Sequence, residues 1–235
     1  MRNENLLTKP RSRAIRFLSA LLILSASVVA LLFVAHFIWL FTGSNRWEFA
    51  GERNGVKTYT LKSPGSDLIQ LKGVFQVHST LAGIVTFMRD SGACNDIPGC
   101  YGSHVVERVD DQLQYDYYIM KFPFPFHPRD FVNRTQIHQS PQTKEVLVEY
   151  AATPGELPLN SCCVRVTNMD NTWRLTPLDN GQVEIEFTMK MNDGGFVPDL
   201  LINMHPDFLF GLAHLQPLFD KDKYQNAKLE FISEK

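Results

Sequence analysis

The reactive side chains of this sequence are few, and they begin with its four cysteines. Cys94 and Cys100 lie close together in a predicted loop, and such a pair can close a disulfide in an oxidising compartment. Asp96 and His104 complete no zinc-ligand spacing around them. Cys162 and Cys163 are neighbours on a predicted strand, where adjacent side chains point to opposite faces, so packing or a free thiol is expected. The cysteines therefore predict one disulfide and no metal site.

Acid/base chemistry has one candidate pair, Glu184 and Glu186, which share a strand face as a general acid and base would. These residues alternate with apolar ones, so the shared face is expected to be exposed to solvent. The seven histidines are scattered, and the sequence contains none of the H-E-x-x-H, G-x-S-x-G, P-loop or G-x-G-x-x-G patterns. We therefore predict no catalytic residue, no cofactor and no enzyme activity.

The composition, with 44% hydrophobic and 20% charged residues, is that of a folded protein. The net charge is −2, which lacks the excess of Lys and Arg that a phosphate backbone attracts. Four cysteines are too few for a disulfide scaffold, and a chain of 235 residues is large enough to bury its own core. We expect a monomer with no nucleic-acid partner.

Residues 17–41 form one uncharged apolar run, FLSALLILSASVVALLFVAHFIWLF. The run exceeds the roughly 20 helical residues that cross a bilayer. Five basic residues and one acid precede it, and this bias places the N-terminus in the cytoplasm. The predicted division is a cytoplasmic basic segment (1–16), a single-pass transmembrane signal anchor (17–41) and an exported domain (42–235). A cleaved signal peptide is the alternative, although its apolar core is usually shorter.

The exported part shows an α+β pattern. The clearest strand is QVEIEFTMKM at 182–191, in which apolar and polar residues alternate. Ser79 is expected to cap a helix over 79–90. A helical region is predicted over 198–229, with an apolar stripe and interruptions at Pro206 and Pro217. Short turns between the other strands imply antiparallel pairing; those strands are predicted at about 55–60, 68–77, 103–109, 112–121, 130–139, 144–152, 161–167 and 170–177.

Three local motifs resemble the START (steroidogenic acute regulatory protein-related lipid transfer) domain. The first is Trp47 followed by NGVKTY at 54–59, and the second is PFPFHPRDFV at 123–132. The third is the GGFVP run at 194–198, which leads into the last helical region. The resemblance covers about residues 46–229. It implies a helix-grip fold, in which a curved antiparallel sheet wraps around a long C-terminal helix and leaves a tunnel for one lipid.

The resemblance also implies which residues line the tunnel. Asp116 stands where some sterol-binding members carry a buried acid, but Thr135 occupies the place of its basic partner, which argues against a sterol-type polar clamp. Asp116 and Arg165 are the candidates for head-group contacts. Ordinary core packing is the alternative for each apolar candidate; the expected lining residues are Tyr117, Ile119, Phe187, Met189, Met191, Leu201, Phe208 and Leu212.

The predicted function is therefore binding of a phospholipid, a sterol-like lipid or a fatty acyl chain for transfer or sensing, without catalysis. A desorbing acyl chain exposes methylenes at about 0.8 kcal/mol each, and an apolar pocket beside the membrane removes that cost. The expected location is the inner membrane, with the domain in the periplasm or otherwise exported. Two alternatives remain: an enzyme on the same scaffold, and an envelope module that binds a protein segment.

Overall fold

The computed structural model describes residues 13–195 and 206–235. Helix α1 (Arg13–Phe41) precedes a domain in which a large sheet is joined by one amphipathic helix, α2 (Leu81–Arg89), and a 3₁₀ turn at Ser91–Asp96. The strands are β1 (Glu48–Arg53), β2 (Val56–Lys62), β3 (Ile69–Val77), β4 (Cys100–Arg108), β5 (Leu113–Met120), β6 (Arg129–Gln139), β7 (Val146–Ala152), β8 (Val164–Arg165), β9 (Asn168–Pro177), β10 (Val183–Met189) and β11 (Met191–Asn192).

The sheet is open and almost wholly antiparallel. Its strand order is β1-β2-β3-β10-β9-β7-β6-β5-β4, with β11 paired to β9 and the short β8 paired in parallel to β6. The predicted α+β class and START-like fold are confirmed. Two details differ: β1 was not predicted, and the strand expected at 161–167 is reduced to Val164–Arg165.

The main core lies on one face of this sheet, here called the inner face. Phe75 on β3 pairs with Ile185 on β10, which pairs with Leu175 on β9, and all three are buried. Helix α2 packs on the same core through residues such as Ile84. Gly73 permits close packing, because a Cβ there would lie 2.6 Å from Leu212 Cδ1. The alternation predicted for β10 therefore directs its apolar side chains into the core.

The segments that cover the inner face differ from their predicted form. Thr80, not Ser79, caps α2 by accepting a hydrogen bond from the Gly83 amide. The described part of the C-terminal region is a succession of short helices in place of one long α-helix. These are a 3₁₀ segment (Pro206–Leu215) and two single turns of α-helix, Gln216–Phe219 and Asp222–Gln225. Pro217 lies in the first turn of its helix, the position that proline tolerates.

Helix α1 stands outside the core, and its end is attached to the β2–β3 turn. The apolar stretch Ile15–Phe41 is long and hydrophobic enough to cross a membrane, and none of its most apolar window is buried in the protein. At the helix end, the Gly65 amide donates to Leu40 O at 2.7 Å, and Trp39 Nε1 donates to Asp67 O at 3.1 Å. Lys62 Nζ lies 5.1 Å from the Trp39 ring centroid. The turn at 63–68 is therefore held against the end of the apolar helix.

Candidate functional site

The inner face continues from the core onto β6 and β5, where the register decides which side chains point inward. Ile137 on β6 pairs with Val148 of the core, so residues spaced by two along β6 share its direction. Thr135 and Asn133 follow from it on the same face. Asn133 pairs with Asp116 on β5, which places Asp116 on the inner face as well.

Asp116 is partly buried beside two neutral donors. Its Oδ1 accepts from Gln114 Nε2 and its Oδ2 accepts from Thr135 Oγ1, both at 2.8 Å. Burial raises the pKa of the Asp116 carboxyl, and these two hydrogen bonds oppose the rise only in part. Thr135 is therefore a neutral hydrogen-bond partner of Asp116. As expected from the sequence, Thr135 stands in place of the basic partner found in some sterol-binding members.

Asn133 is the group that sequence reasoning missed. Its side chain is fully buried, and neither its Nδ2 nor its Oδ1 makes a hydrogen bond of ordinary geometry within the described residues. The phenol of Tyr118 lies beside it as a hydrogen-bonding neighbour. Burial raises the pKa of Tyr118 to about 12, and the contact with Asn133 opposes that rise. Asn133 therefore offers one donor pair and one acceptor on the inner face.

An apolar wall, here called the strand-end cluster, adjoins these polar groups. Its described members come from strands and their connections, without a residue of α2 or of the C-terminal helices. Tyr118 and Tyr150 point inward yet keep partial accessibility, although burial raises the pKa of both phenols. The cluster consists of Phe131, Val166 and Met169, with Tyr118, Met120, Tyr150, Ala152 and Met191 packed against them.

The predicted lining residues of β10 and its surroundings lie on the inner face. Phe187 contacts the Trp173 ring at a centroid distance of 4.4 Å, and Met189 packs against the main core. Met191 belongs to the strand-end cluster. Leu212 is buried against the sheet at Gly73, within the core. Leu201 lies outside the described residues, and so does the side chain of Phe208.

The predictions for Tyr117 and Ile119 are wrong, because these residues point to the outer face. Tyr117 pairs with Val132 and both are buried in a separate cluster beneath the β7–β8 connection (153–163). Tyr117 also lines a shallow outer groove of about 470 Å³, where its hydroxyl accepts from Asn160 Nδ2 at 3.1 Å. Their inward-facing neighbours on β5 are Asp116, Tyr118 and Met120.

Arg165 is also wrong as a head-group ligand. It lies on the outer face and is almost fully buried, with its Nη2 2.8 Å and its Nε 2.9 Å from Asp130 Oδ2. Its Nη1 donates to Pro154 O at 2.7 Å and to Leu157 O at 3.1 Å, and Nη2 donates to Pro158 O at 2.9 Å. The guanidinium therefore has no donor left for a ligand and serves to hold the β7–β8 connection.

The cysteines form two disulfides in the structure, Cys94–Cys100 and Cys162–Cys163. The expectation of packing or a free thiol at Cys162 and Cys163 is therefore wrong. The two residues lie in a turn before β8, so the strand geometry that would point their side chains apart does not apply. No group of three or more His, Cys, Asp or Glu side chains in the described part of the chain is arranged to hold a metal ion.

The geometry above, an open antiparallel sheet with helices and a polar group inside its inner face, defines a helix-grip fold. Comparison with known proteins agrees: residues 98–205 match the family described as "START domain". A STAR-related lipid transfer protein from Xanthomonas axonopodis superposes with a TM-score of 0.69 at 26% identity, covering 74% of this chain and 99% of that structure. The human StAR-related lipid transfer protein 5 superposes with a TM-score of 0.66 at 16% identity, over 84% and 97% of the two chains.

A curated relative, an uncharacterized protein of Pseudomonas aeruginosa, is 25% identical over 158 residues, which are 67% of this chain and 77% of the relative. Residues 98–205 therefore resemble the START domain family, as the sequence motifs indicated, and the domain that follows α1 has a START-like fold.

Proposed function

We propose that this domain binds one lipid-type ligand between the inner face of its sheet and the C-terminal region, and that it performs no reaction on that ligand. The observation that carries the proposal is the strand-end cluster, an apolar wall without a described helix residue, next to the buried side-chain amide of Asn133. The similarity to lipid transfer proteins supports the same ligand class. Phospholipid, sterol-like and fatty acyl ligands all present the required apolar surface.

Binding is favoured over catalysis because Asp116, an acid on the inner face with a raised pKa, is already occupied. Both oxygens of Asp116 accept hydrogen bonds from protein donors. His104 packs on Tyr117 of the outer face and His138 pairs with Glu149, so both are directed away from Asp116. The polar groups therefore suit recognition of a ligand's hydrogen-bonding end.

We further propose that α1 is retained as a single-pass anchor, with residues 1–16 in the cytoplasm and the domain from residue 42 in the periplasm as a monomer. The apolar helix supports the anchor, and the basic residues before it support the orientation. An alkaline phosphatase fused after Lys235 is expected to be active, since it folds only outside the cytoplasm. An inactive fusion that is expressed at the normal level would contradict the proposed orientation.

Quenching of Trp173 tests ligand entry. Trp173 lies on the inner face beside Phe187, so a brominated lipid that enters the domain comes within contact distance of its indole. The full chain would carry Trp39→Phe and Trp47→Phe, which leave Trp173 as the single tryptophan. We expect saturable quenching of its emission by brominated phospholipid or fatty acid.

The matched control moves the reporter by one residue with Trp173→Phe and Arg174→Trp in the same background. Neighbouring strand residues face opposite sides, so this tryptophan lies outside. The exposed ion pair between Arg174 and Glu145 that it removes is worth little. Equal quenching of the two reporters, or none of either, would contradict the proposed binding.

A further inference from the structure

The disulfide between the adjacent residues Cys162 and Cys163 can contribute little to the stability of the fold. A cross-link stabilises a protein mainly by restricting its unfolded chain, and the effect grows with the length of the loop that the bond closes. This bond joins consecutive residues, whereas the bond between Cys94 and Cys100 has a sequence separation of 6. The vicinal bond therefore restricts the unfolded chain very little, and stability does not explain its presence.

The two disulfides also differ in their exposure to solvent. Cys162 is exposed and Cys163 is half-buried. In the other bond, Cys94 is buried and Cys100 is half-buried. Exchange between a thiol and a disulfide requires that the attacking thiolate reach one of the two sulfur atoms. The vicinal pair therefore presents an accessible residue, Cys162, to a thiol that approaches from solution.

The chain around the vicinal pair is held by hydrogen bonds that do not involve sulfur. The Cys162 amide donates to Asn160 Oδ1 and the Cys163 amide donates to Asn160 O, both at 3.2 Å. On the other side, the Val164 amide donates to Pro128 O at 2.9 Å. Opening of the S–S bond is therefore expected to leave the two cysteines as neighbours in an anchored turn, as a reversible modification requires.

The same turn is connected to the outer groove. Asn160, which accepts from both cysteine amides, donates through its Nδ2 to the Tyr117 hydroxyl at 3.1 Å. Asn160 and Ser161 also line the groove. A change in the turn on reduction thus reaches the groove through one side chain.

We propose that Cys162 and Cys163 form a redox site, whose disulfide undergoes reversible exchange with the dithiol of an oxidoreductase. One thiolate of the dithiol attacks Cys162 Sγ, the bond to Cys163 breaks, and the Cys163 thiolate takes up a proton. The second thiolate of the dithiol then attacks the partner sulfur of the mixed disulfide and releases Cys162, which is protonated in turn. Two electrons and two protons pass to the domain, and the dithiol becomes a disulfide. This site lies on the outer face and does not depend on the proposed lipid binding.

Differential reduction tests the site in the full chain, and the bond between Cys94 and Cys100 is the control within the same molecule. The detergent-solubilised protein is exposed to reduced thioredoxin, a C-x-x-C dithiol, then quenched with acid and alkylated. Mass spectrometry measures the reduced fraction of each cysteine pair over time. We expect the vicinal pair to be reduced about tenfold faster or more, because it is the more exposed of the two. Equal rates, or faster reduction of the control bond, would overturn the proposal.

Single variants test which sulfur is attacked. Cys163→Ser leaves Cys162 as a free thiol, and Cys162→Ser leaves Cys163. We expect glutathione disulfide to modify the first variant faster, since Cys162 is the exposed residue. Faster modification of Cys163 would contradict the proposed attack at Cys162.

A second measurement separates a redox site from a structural bond. After selective reduction of the vicinal pair in the wild type, we expect an unchanged denaturation midpoint and faster amide hydrogen exchange confined to residues 153–163. The double variant Cys162→Ser/Cys163→Ser is expected to match this reduced form, whereas Cys94→Ser/Cys100→Ser is expected to lower the midpoint. Unfolding of the wild type when only the vicinal pair is reduced would give this bond a structural role and overturn the proposal.

Discussion

The Arg165 guanidinium is hydrogen-bonded through all three of its nitrogens, and it is paired with Asp130 beneath the β7–β8 connection. The side chains of this pair are 3% and 0% exposed, so removal of one partner leaves a buried charge without compensation. Arg165→Leu is therefore expected to lower the free energy of unfolding by about 3 to 5 kcal/mol. Chemical denaturation followed by tryptophan fluorescence measures the change.

The control for this pair is Glu186→Gln, which breaks the partly exposed ion pair with Lys72 at 3.1 Å. That loss is expected to be at most about 1 kcal/mol. Similar losses for the two variants would contradict the structural role assigned to Arg165.

Asp116 supplies a pH-dependent contribution to stability. Its pKa is raised by burial in the folded state, so its contribution is present below the unfolded pKa of about 3.9 and is lost as the pH rises through the folded value. Asp116→Asn retains partners for Gln114 and Thr135 and removes the charge. We expect the stability of this variant, relative to wild type, to increase with pH above about 4 and then level off.

Exposed Asp111 provides the comparison for that titration. Asp111→Asn, in the β4–β5 turn, removes an exposed charge and controls for the substitution itself. If Asp116→Asn follows wild type at every pH, Asp116 does not lie among the partly buried neutral donors described above.

Strand β5 shows how far the direction of a single side chain can be predicted from the sequence. Asp116 and Tyr117 were both predicted to face the ligand, although adjacent strand residues point to opposite sides. The error arose because the strand carries large side chains on both faces: the core lies on one side and the β7–β8 connection covers the other. Asn133 gave no signal in the sequence, since the burial of an amide depends on its surroundings and not on its residue type.

At the scale of elements, the start of α2 is completed by the C-terminal end of the chain. The Glu234 carboxylate accepts from the Leu81 amide at 3.0 Å and the Ala82 amide at 2.9 Å. An anion at a helix N-terminus satisfies free amides and matches the helix dipole. Glu234→Gln is therefore expected to cost about 1 kcal/mol of unfolding free energy.

Exposed Glu230 is the matched position for this cap. Glu230→Gln changes the same charge four residues earlier, so little change in the denaturation midpoint is expected. If the two glutamine variants unfold at the same denaturant concentration, the Glu234 side-chain carboxylate does not stabilise α2.

Elements with a strict local period were predictable, and those that depend on distant partners were not. The alternation over 182–191 located β10, and the apolar spacing after residue 80 located α2. Strand β1 was missed because EFAGER has no apolar alternation and is held by its pairing with β2. The vicinal cysteines were misread because the predicted strand at 161–167 is mostly a turn, which periodicity does not distinguish.

At the scale of the whole molecule, the structure combines three parts: the apolar helix α1, the hydrogen bonds that attach its end to the β2–β3 turn, and the apolar strand-end cluster on the inner face. The attachment uses the hydrogen bonds of Trp39 and Gly65, which hold the β2–β3 turn against the end of α1, the proposed anchor. The fold class followed from the order of elements and three motifs in the sequence. The direction of the membrane relative to the sheet required coordinates, because it depends on contacts between α1 and the β2–β3 turn.

The central claim is that the inner face holds one lipid molecule, and native mass spectrometry of the full chain tests it most directly. Two variants on β5 separate an internal ligand from lipids around α1: Met120→Trp fills space at the inward-facing strand-end cluster, whereas Tyr115→Trp lies on the outer face. We predict one bound lipid per chain in the wild type and in Tyr115→Trp, and its loss in Met120→Trp at unchanged circular dichroism. Equal lipid content in the two variants, or a wild-type chain with no lipid, would contradict the account.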